Sequence, residues 1–129
     1  MIVDSSALLA VVLAEDDADQ YALALRRSGE CRIGAPTLLE CTIVMLRRNG
    51  EGGVARLDDF VAEFRLEVLR FGPEDLAVAR AALVSYGKGR HPARLNFGDC
   101  MAYATAKVRG EPLLYKGDDF ARTDVEPAL

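Results

Sequence analysis

Brief apolar runs, each only a few residues long, alternate along this chain with longer stretches of helical periodicity. Met1-Ile2-Val3 is β-prone and stops at Asp4, after which residues 5–14 carry an alanine- and leucine-rich helical pattern. Residues 17–28 read as an amphipathic helix closed by Gly29, and residues 31–34 as a strand. Residues 38–48 form a helix that is apolar almost all round and is therefore expected to be buried. A glycine-rich turn at 49–53, a helix at 54–64 and a strand at 66–71 ending in Gly72-Pro73 follow. A helix at 76–86, a basic loop at 87–95, a helix at 97–108 and a strand at 112–115 complete the pattern. Short strands separated by helices pair through crossovers, which predicts a three-layer α/β/α fold around a short, mostly parallel sheet. No linker, repeat or low-complexity stretch interrupts the chain, so residues 1–129 are expected to form a single domain. At 129 residues and 50% apolar content it buries about two-thirds of its unfolded surface without staples.

Several classes of chemistry are disfavoured at once. Cys31, Cys41 and Cys100 are odd in number, sit in apolar stretches and show no C-x-x-C pairing, which argues against a disulfide scaffold or a zinc site. His91 is the only histidine and stands beside Pro92 in the basic loop, so it reads as a loop residue rather than part of a triad. No apolar run approaches the ~18 residues of a membrane span and no basic leader precedes Met1-Ile2, so no membrane association and a reducing cytoplasmic setting are expected. The glycine-containing loops at 50–53 and 87–90 do not match a phosphate loop of the G-x-x-x-x-G-K-[ST] kind. A phosphoacceptor receiver needs paired acids after its first strand, whereas Asp4 stands alone before Ser5-Ser6.

In a parallel α/β sheet, ligands bind beyond the carboxyl ends of the strands. Asp4 follows the first strand and Asp118-Asp119 the last, so both reach the same end. Asp4, Glu40 and Asp99 all fall at helix beginnings and each has a plain structural reading: Asp4 as an N-cap, Thr37-x-x-Glu40 and Asn96-x-x-Asp99 as capping boxes. Glu40, however, sits within Leu38-Leu39-Glu40-Cys41-Thr42-Ile43-Val44, where an unpaired ionised carboxylate is costly and a cation would relieve it. Converging carboxylates without histidine or thiolate suit a hard divalent ion such as Mg²⁺ or Mn²⁺. Such an ion beside basic side chains suits phosphodiester hydrolysis, because it makes hydroxide available near neutral pH and stabilises charge on the phosphoryl group. Lys88, Arg90, Arg94, Lys107 and Arg109 surround Asp99 along the chain, although the net charge is −4. Ser6 is placed either to hydrogen-bond a carboxylate or a metal-bound water, or to act as an ordinary first-turn serine.

Four blocks in this order, Met1-Ile-Val-Asp4-Ser-Ser6-Ala-Leu, Ala35-Pro-Thr-Leu-Leu-Glu40, Leu95-Asn-Phe-Gly-Asp99-Cys-Met-Ala-Tyr-Ala104 and Leu113-Leu-Tyr-Lys-Gly-Asp-Asp119-Phe, resemble the PIN domain of VapC-type toxins over essentially the whole chain. The resemblance implies a Mg²⁺- or Mn²⁺-dependent endoribonuclease, the toxin half of a bacterial type II toxin–antitoxin pair, working as a homodimer held inactive by its cognate antitoxin. It implies Asp4 and Asp99 as the main metal ligands, with Glu40 completing the site directly or through water. The fourth acid is Asp118 or Asp119: Asp118 is favoured by its distance from the preceding strand, which leaves Asp119 to cap the next turn. Ser6 matches a small hydroxyl near the metal, and Asn96 the cap of the helix bearing Asp99. Lys88, Arg90 and Arg94 would form a rim that holds RNA phosphates. The family's final short strand has no clear counterpart after Thr123. An alternative of another class is a catalytically weak PIN-like binding module that acts through a complex with its antitoxin and DNA. Apolar positions in the helices at 17–28 and 54–64 serve either a partner or the core.

Overall fold

The computed structural model describes residues 1–129. Its elements are β1 (Ile2–Val3), α1 (Ser5–Val12), α2 (Ala18–Arg27), β2 (Arg32–Gly34), α3 (Ala35–Glu63), β3 (Glu67–Leu69), α4 (Pro73–Tyr86), α5 (Phe97–Arg109) and β4 (Leu113–Leu114). The strands lie in the order β3-β2-β1-β4 and every pair is parallel. Ile2 stands opposite both Arg32 and Leu113, which places β1 in the interior. Successive strand residues point to opposite faces, and the core divides accordingly. Val3, Ile33 and Leu114 pack with α1, α2 and α3, while Ile2 and Leu113 pack with α4 and α5. Strands of two or three residues supply few ladder bonds, so two apolar helical layers hold this sheet.

Most boundaries fall within a few residues of the sequence pattern. The helix expected from residue 76 begins at Pro73, a favoured first helical position, and the Asp75 carboxylate accepts the Gly72 N–H at 2.8 Å. The turn expected over 49–53 contracts to Gly50, whose φ of 61° and ψ of −151° break α3 into two arms. The expected burial of residues 38–48 is only half met. Cys41 and Met45 are buried, whereas Leu39, Ile43 and Leu46 are 60%, 43% and 51% exposed. Their i, i+4, i+7 spacing puts them together on the face that no other element covers. By contrast, Tyr21, Leu25, Leu57 and Phe64, from the two helices considered for a partner, belong to the core.

In place of a final strand, the Leu113 N–H donates to the Glu126 carbonyl at 2.8 Å and the Ala128 N–H to the Leu113 carbonyl at 2.9 Å. This is a single parallel bridge at Pro127 along the outer side of β4. All three cysteines are free and buried. No helix is long and apolar enough to cross a membrane.

The arms of α3 meet where a Cβ on Gly53 would lie 2.5 Å from the Met45 carbonyl oxygen and 2.8 Å from the Asn49 Cβ. Gly53→Ala is therefore expected to destabilise the protein by about 1–2 kcal/mol despite alanine's better helix propensity. Urea unfolding checks this, and an unchanged midpoint would show that the arms part freely.

Candidate active site

The chain runs from β1 to its neighbour β2 and on to β3, then returns to place β4 on the other side of β1. The order thus reverses between β1 and β4, the position at which open α/β sheets leave a crevice beyond their carboxyl ends. Asp4 occupies the end of β1 and caps α1. Its Oδ2 accepts the Ser6 N–H at 3.0 Å and the Ser6 hydroxyl at 2.5 Å. The same hydroxyl accepts the Lys116 N–H at 2.9 Å, so Ser6 links the end of β1 to the segment leaving β4. Asp99 forms the expected box with Asn96: the Asn96 N–H donates to Asp99 Oδ2 and the Asp99 N–H to Asn96 Oδ1, each at 2.9 Å.

Glu40 departs from the expected box. The helix starts at Ala35 with Gly34 as its cap, so Thr37 lies inside the first turn and is buried. Glu40 Oε1 instead accepts the Ser5 hydroxyl at 3.1 Å. Asp4, Glu40 and Asp99 therefore each commit one oxygen to a protein donor, while Asp4 Oδ1, Glu40 Oε2 and Asp99 Oδ1 accept none.

Burial pushes the Asp4 carboxyl up to about 6, with the Glu40 charge adding to it and the Ser6 hydrogen bonds opposing it. Burial also takes Asp99 to about 6, opposed by the Asn96 hydrogen bond and assisted by the charges of Asp4 and Asp119. Glu40 is raised by burial, against the Ser5 hydrogen bond and with help from Asp99. These groups feel one another, and no lysine or arginine is ion-paired with any of Asp4, Glu40 and Asp99. The all-oxygen donor set, with one free oxygen on each acid, fits a hard divalent ion that keeps part of its hydration shell. A preassembled cage of three or more side chains is not present. Histidine takes no part, since His91 Nδ1 accepts the Ala93 N–H at 3.0 Å and its ring stands edge-on to Tyr86.

The PIN domain family model matches residues 1–126. The chain belongs to the PIN domain family. Ribonuclease VapC28 of Mycobacterium tuberculosis is 44% identical over 130 residues, covering 100% of this chain and 98% of that protein. Among solved structures, VapC20 of M. tuberculosis, described as a sarcin-ricin loop cleaving toxin, superposes with a TM-score of 0.78 at 16% identity, covering 96% of this chain and 95% of that one. VapBC2 of Rickettsia felis, bound to a DNA fragment from its promoter, gives 0.74 at 16% identity over 98% and 94% of the two chains. These two structural likenesses concern the PIN fold alone.

Of the five bases counted around Asp99, Lys107 pairs with Asp124 and Arg109 with Asp75. Lys88, Arg90 and Arg94 form no ion pairs; the loop carrying them is closed by the Gly87–Leu95 bridge and runs into α5 at Asn96. Both loop aspartates, Asp118, the one favoured from sequence, and Asp119, are exposed beyond β4, and the Asp119 charge contributes to raising Asp99. Ser5 and Gly98 were not singled out. Glycine in a first helical turn is the one signal that could have found Gly98. A Cβ there would stand 2.9 Å from the Glu40 carboxyl carbon and from Oε1. The obstructing atoms end a flexible side chain, so Gly98→Ala is expected to fold normally and to push Glu40 aside. Calorimetric titration with Mn²⁺ should then show affinity about tenfold weaker; parental affinity in this variant would mean that Glu40 does not contribute to ion binding.

Proposed function

We propose that this PIN domain is a Mg²⁺- or Mn²⁺-dependent endoribonuclease and the toxin of a bacterial type II toxin–antitoxin pair. The observation that carries the reading is the set of Asp4, Glu40 and Asp99 at the sheet's switch point, each with an uncommitted oxygen and none with a basic partner. The 44% identity to a protein named as a VapC ribonuclease supports it. Asp4 and Asp99 would hold the ion, with Glu40 completing the site directly or through water. Of the two loop aspartates we assign the fourth place to Asp119, because its charge reaches Asp99. A bound Mg²⁺ or Mn²⁺ would lower the pKa of a coordinated water and draw charge from the phosphoryl oxygens.

The chain's own residues do the remaining work. Ser6 holds the Asp4 carboxylate, Ser5 holds Glu40, and Asn96 fixes Asp99 at the start of α5. Because burial and mutual repulsion raise these carboxyls, Asp4 and Asp99 to about 6, ion binding is expected to strengthen as pH rises and the acids deprotonate. Lys88, Arg90 and Arg94 hold phosphates of the RNA at the rim. The partners proposed are RNA, a cognate antitoxin and a second copy of this chain, the last supported by the exposed stripe of Leu39, Ile43 and Leu46. A second reading is a binding module that acts mainly through a complex with its antitoxin and DNA; VapBC2, which shares the fold, is seen bound to promoter DNA.

Asp99→Asn separates the two readings. It removes a ligand charge while keeping an oxygen for the Asn96 N–H, so the variant should fold with an ion-free melting temperature at or above the parent's. Its metal-dependent cleavage of total cellular RNA should fall by at least a hundredfold. Full activity in the variant would reduce Asp99 to a helix cap, and a folded parent inert in Mg²⁺ and Mn²⁺ would favour the binding module.

The rim makes a separate prediction. Neutralising any one of Lys88, Arg90 and Arg94 should flatten the log–log dependence of RNA affinity on salt by about one unit. Filter binding with the catalytically silent variant measures it, and three unchanged slopes would remove the loop from the RNA path.

A further inference from the structure

Beyond Leu114 the chain leaves the sheet, and Gly117, Asp118 and Asp119 are exposed. Gly117 turns with φ of 95°, and Phe120 is the next buried residue. Asp119 thus lies between two anchors, residue 116 before it and the buried Phe120 after it. Lys116 is held from both ends. Its N–H donates to Ser6 Oγ at 2.9 Å, the hydroxyl that binds Asp4. Its Nζ donates to Asp17 Oδ1 at 2.7 Å and also pairs with the Glu15 carboxylate. Both acids belong to the connection between α1 and α2. Asp17 occupies the N-cap position of α2, yet its side chain makes no capping bond and goes to Lys116 instead.

We propose that Lys116 is a positioning residue, which through Glu15 and Asp17 registers the Asp119-bearing loop against Asp4. The inference rests on the nuclease reading above. The tether also fixes where the ammonium goes: bound to two carboxylates of the α1–α2 connection, it forms no ion pair with Asp4 or Asp99.

The test uses the full chain with Lys116→Met, Lys116→Arg, Glu15→Gln/Asp17→Asn and the triple variant combining the Met and amide changes. Mn²⁺ binding is read by calorimetry, the exchange of the residue 117–119 amides by mass spectrometry without metal, and RNA cleavage against Mn²⁺ concentration. Lys116→Met should weaken Mn²⁺ binding by about tenfold, raise the Mn²⁺ needed for half-maximal cleavage to match, and speed loop exchange. Lys116→Arg should recover most of this, because it keeps a donor for both acids. The acid double variant should reproduce the defect, and the triple should add nothing to it. Parental Mn²⁺ affinity and loop exchange in Lys116→Met, or in the acid double variant, would overturn the proposal. A parent that binds Mn²⁺ without cutting RNA defeats the nuclease reading while leaving the tether to be judged by binding and exchange. A parent that takes up no Mn²⁺ defeats both.

Discussion

The Ser6 hydroxyl is the joint on which the site depends. It donates to Asp4 at the end of β1 and accepts from the Lys116 backbone beyond β4, closing the gap between two strands that are themselves only two residues long. Strands that short cannot carry a pattern of side chains along their length, so the chemistry moves to their ends. There, each residue serves twice. Asp4 caps α1 and Asp99 closes the capping box that Asn96 opens on α5, and in both the backbone hydrogen bond takes Oδ2 and leaves Oδ1 open. A cap fixes a carboxylate's direction at a known point on the sheet, which makes it an economical way to aim an acid.

Gathering Asp4, Glu40 and Asp99 works against stability while no ion is bound. Their carboxyls are raised because the folded state disfavours their charged forms, Asp4 above all at 3% exposure. A group with a folded pKa of about 6 and an unfolded value near 3.8 withdraws stability as pH rises through that interval. The ion-free protein is strained near neutrality by the charges an ion would satisfy. The apolar layers on each face of the sheet supply the stability that tolerates this.

The alternation of short apolar runs and helices was enough to read a parallel α/β sheet, because both central strands are covered on each face and nothing else explains such runs. Asp4 was legible as an acid beyond a strand end, Glu40 as one inside an apolar helix, and Asp99 as one in a capping box amid basic residues. What the pattern could not show depended on where α3 begins. Thr37 looks like a cap for Glu40 until the helix is seen to start at Ala35, which sends Glu40 to Ser5. The exposure of Leu39, Ile43 and Leu46 was hidden for a related reason, since composition records that a helix is apolar all round but not how many sides its neighbours cover. Asp118 and Asp119 are adjacent in sequence and both exposed, so the pattern alone could not choose between them.

The treatment of cations reconciles a net charge of −4 with a polyanionic substrate. The basic side chains that follow these acids along the chain are spoken for: Lys116 by Glu15 and Asp17, and, at the far end of α5 from Asp99, Lys107 by Asp124 and Arg109 by Asp75 together with the Arg70 carbonyl. None of them neutralises the pocket. Lys88, Arg90 and Arg94 stay unpaired with acids, on a loop that ends where α5 delivers Asp99. Fields from charges within about 10 Å survive physiological salt, so what an approaching backbone meets is this local division and not the average charge. An anionic pocket free of internal cations binds a divalent ion strongly. On the proposed reading, a cationic rim beside it would attract phosphates that the bare pocket repels. A lysine inside such a cluster would satisfy the acids in place of an ion, and the pairing of Lys116 with Glu15 and Asp17 holds its ammonium away from Asp4 and Asp99.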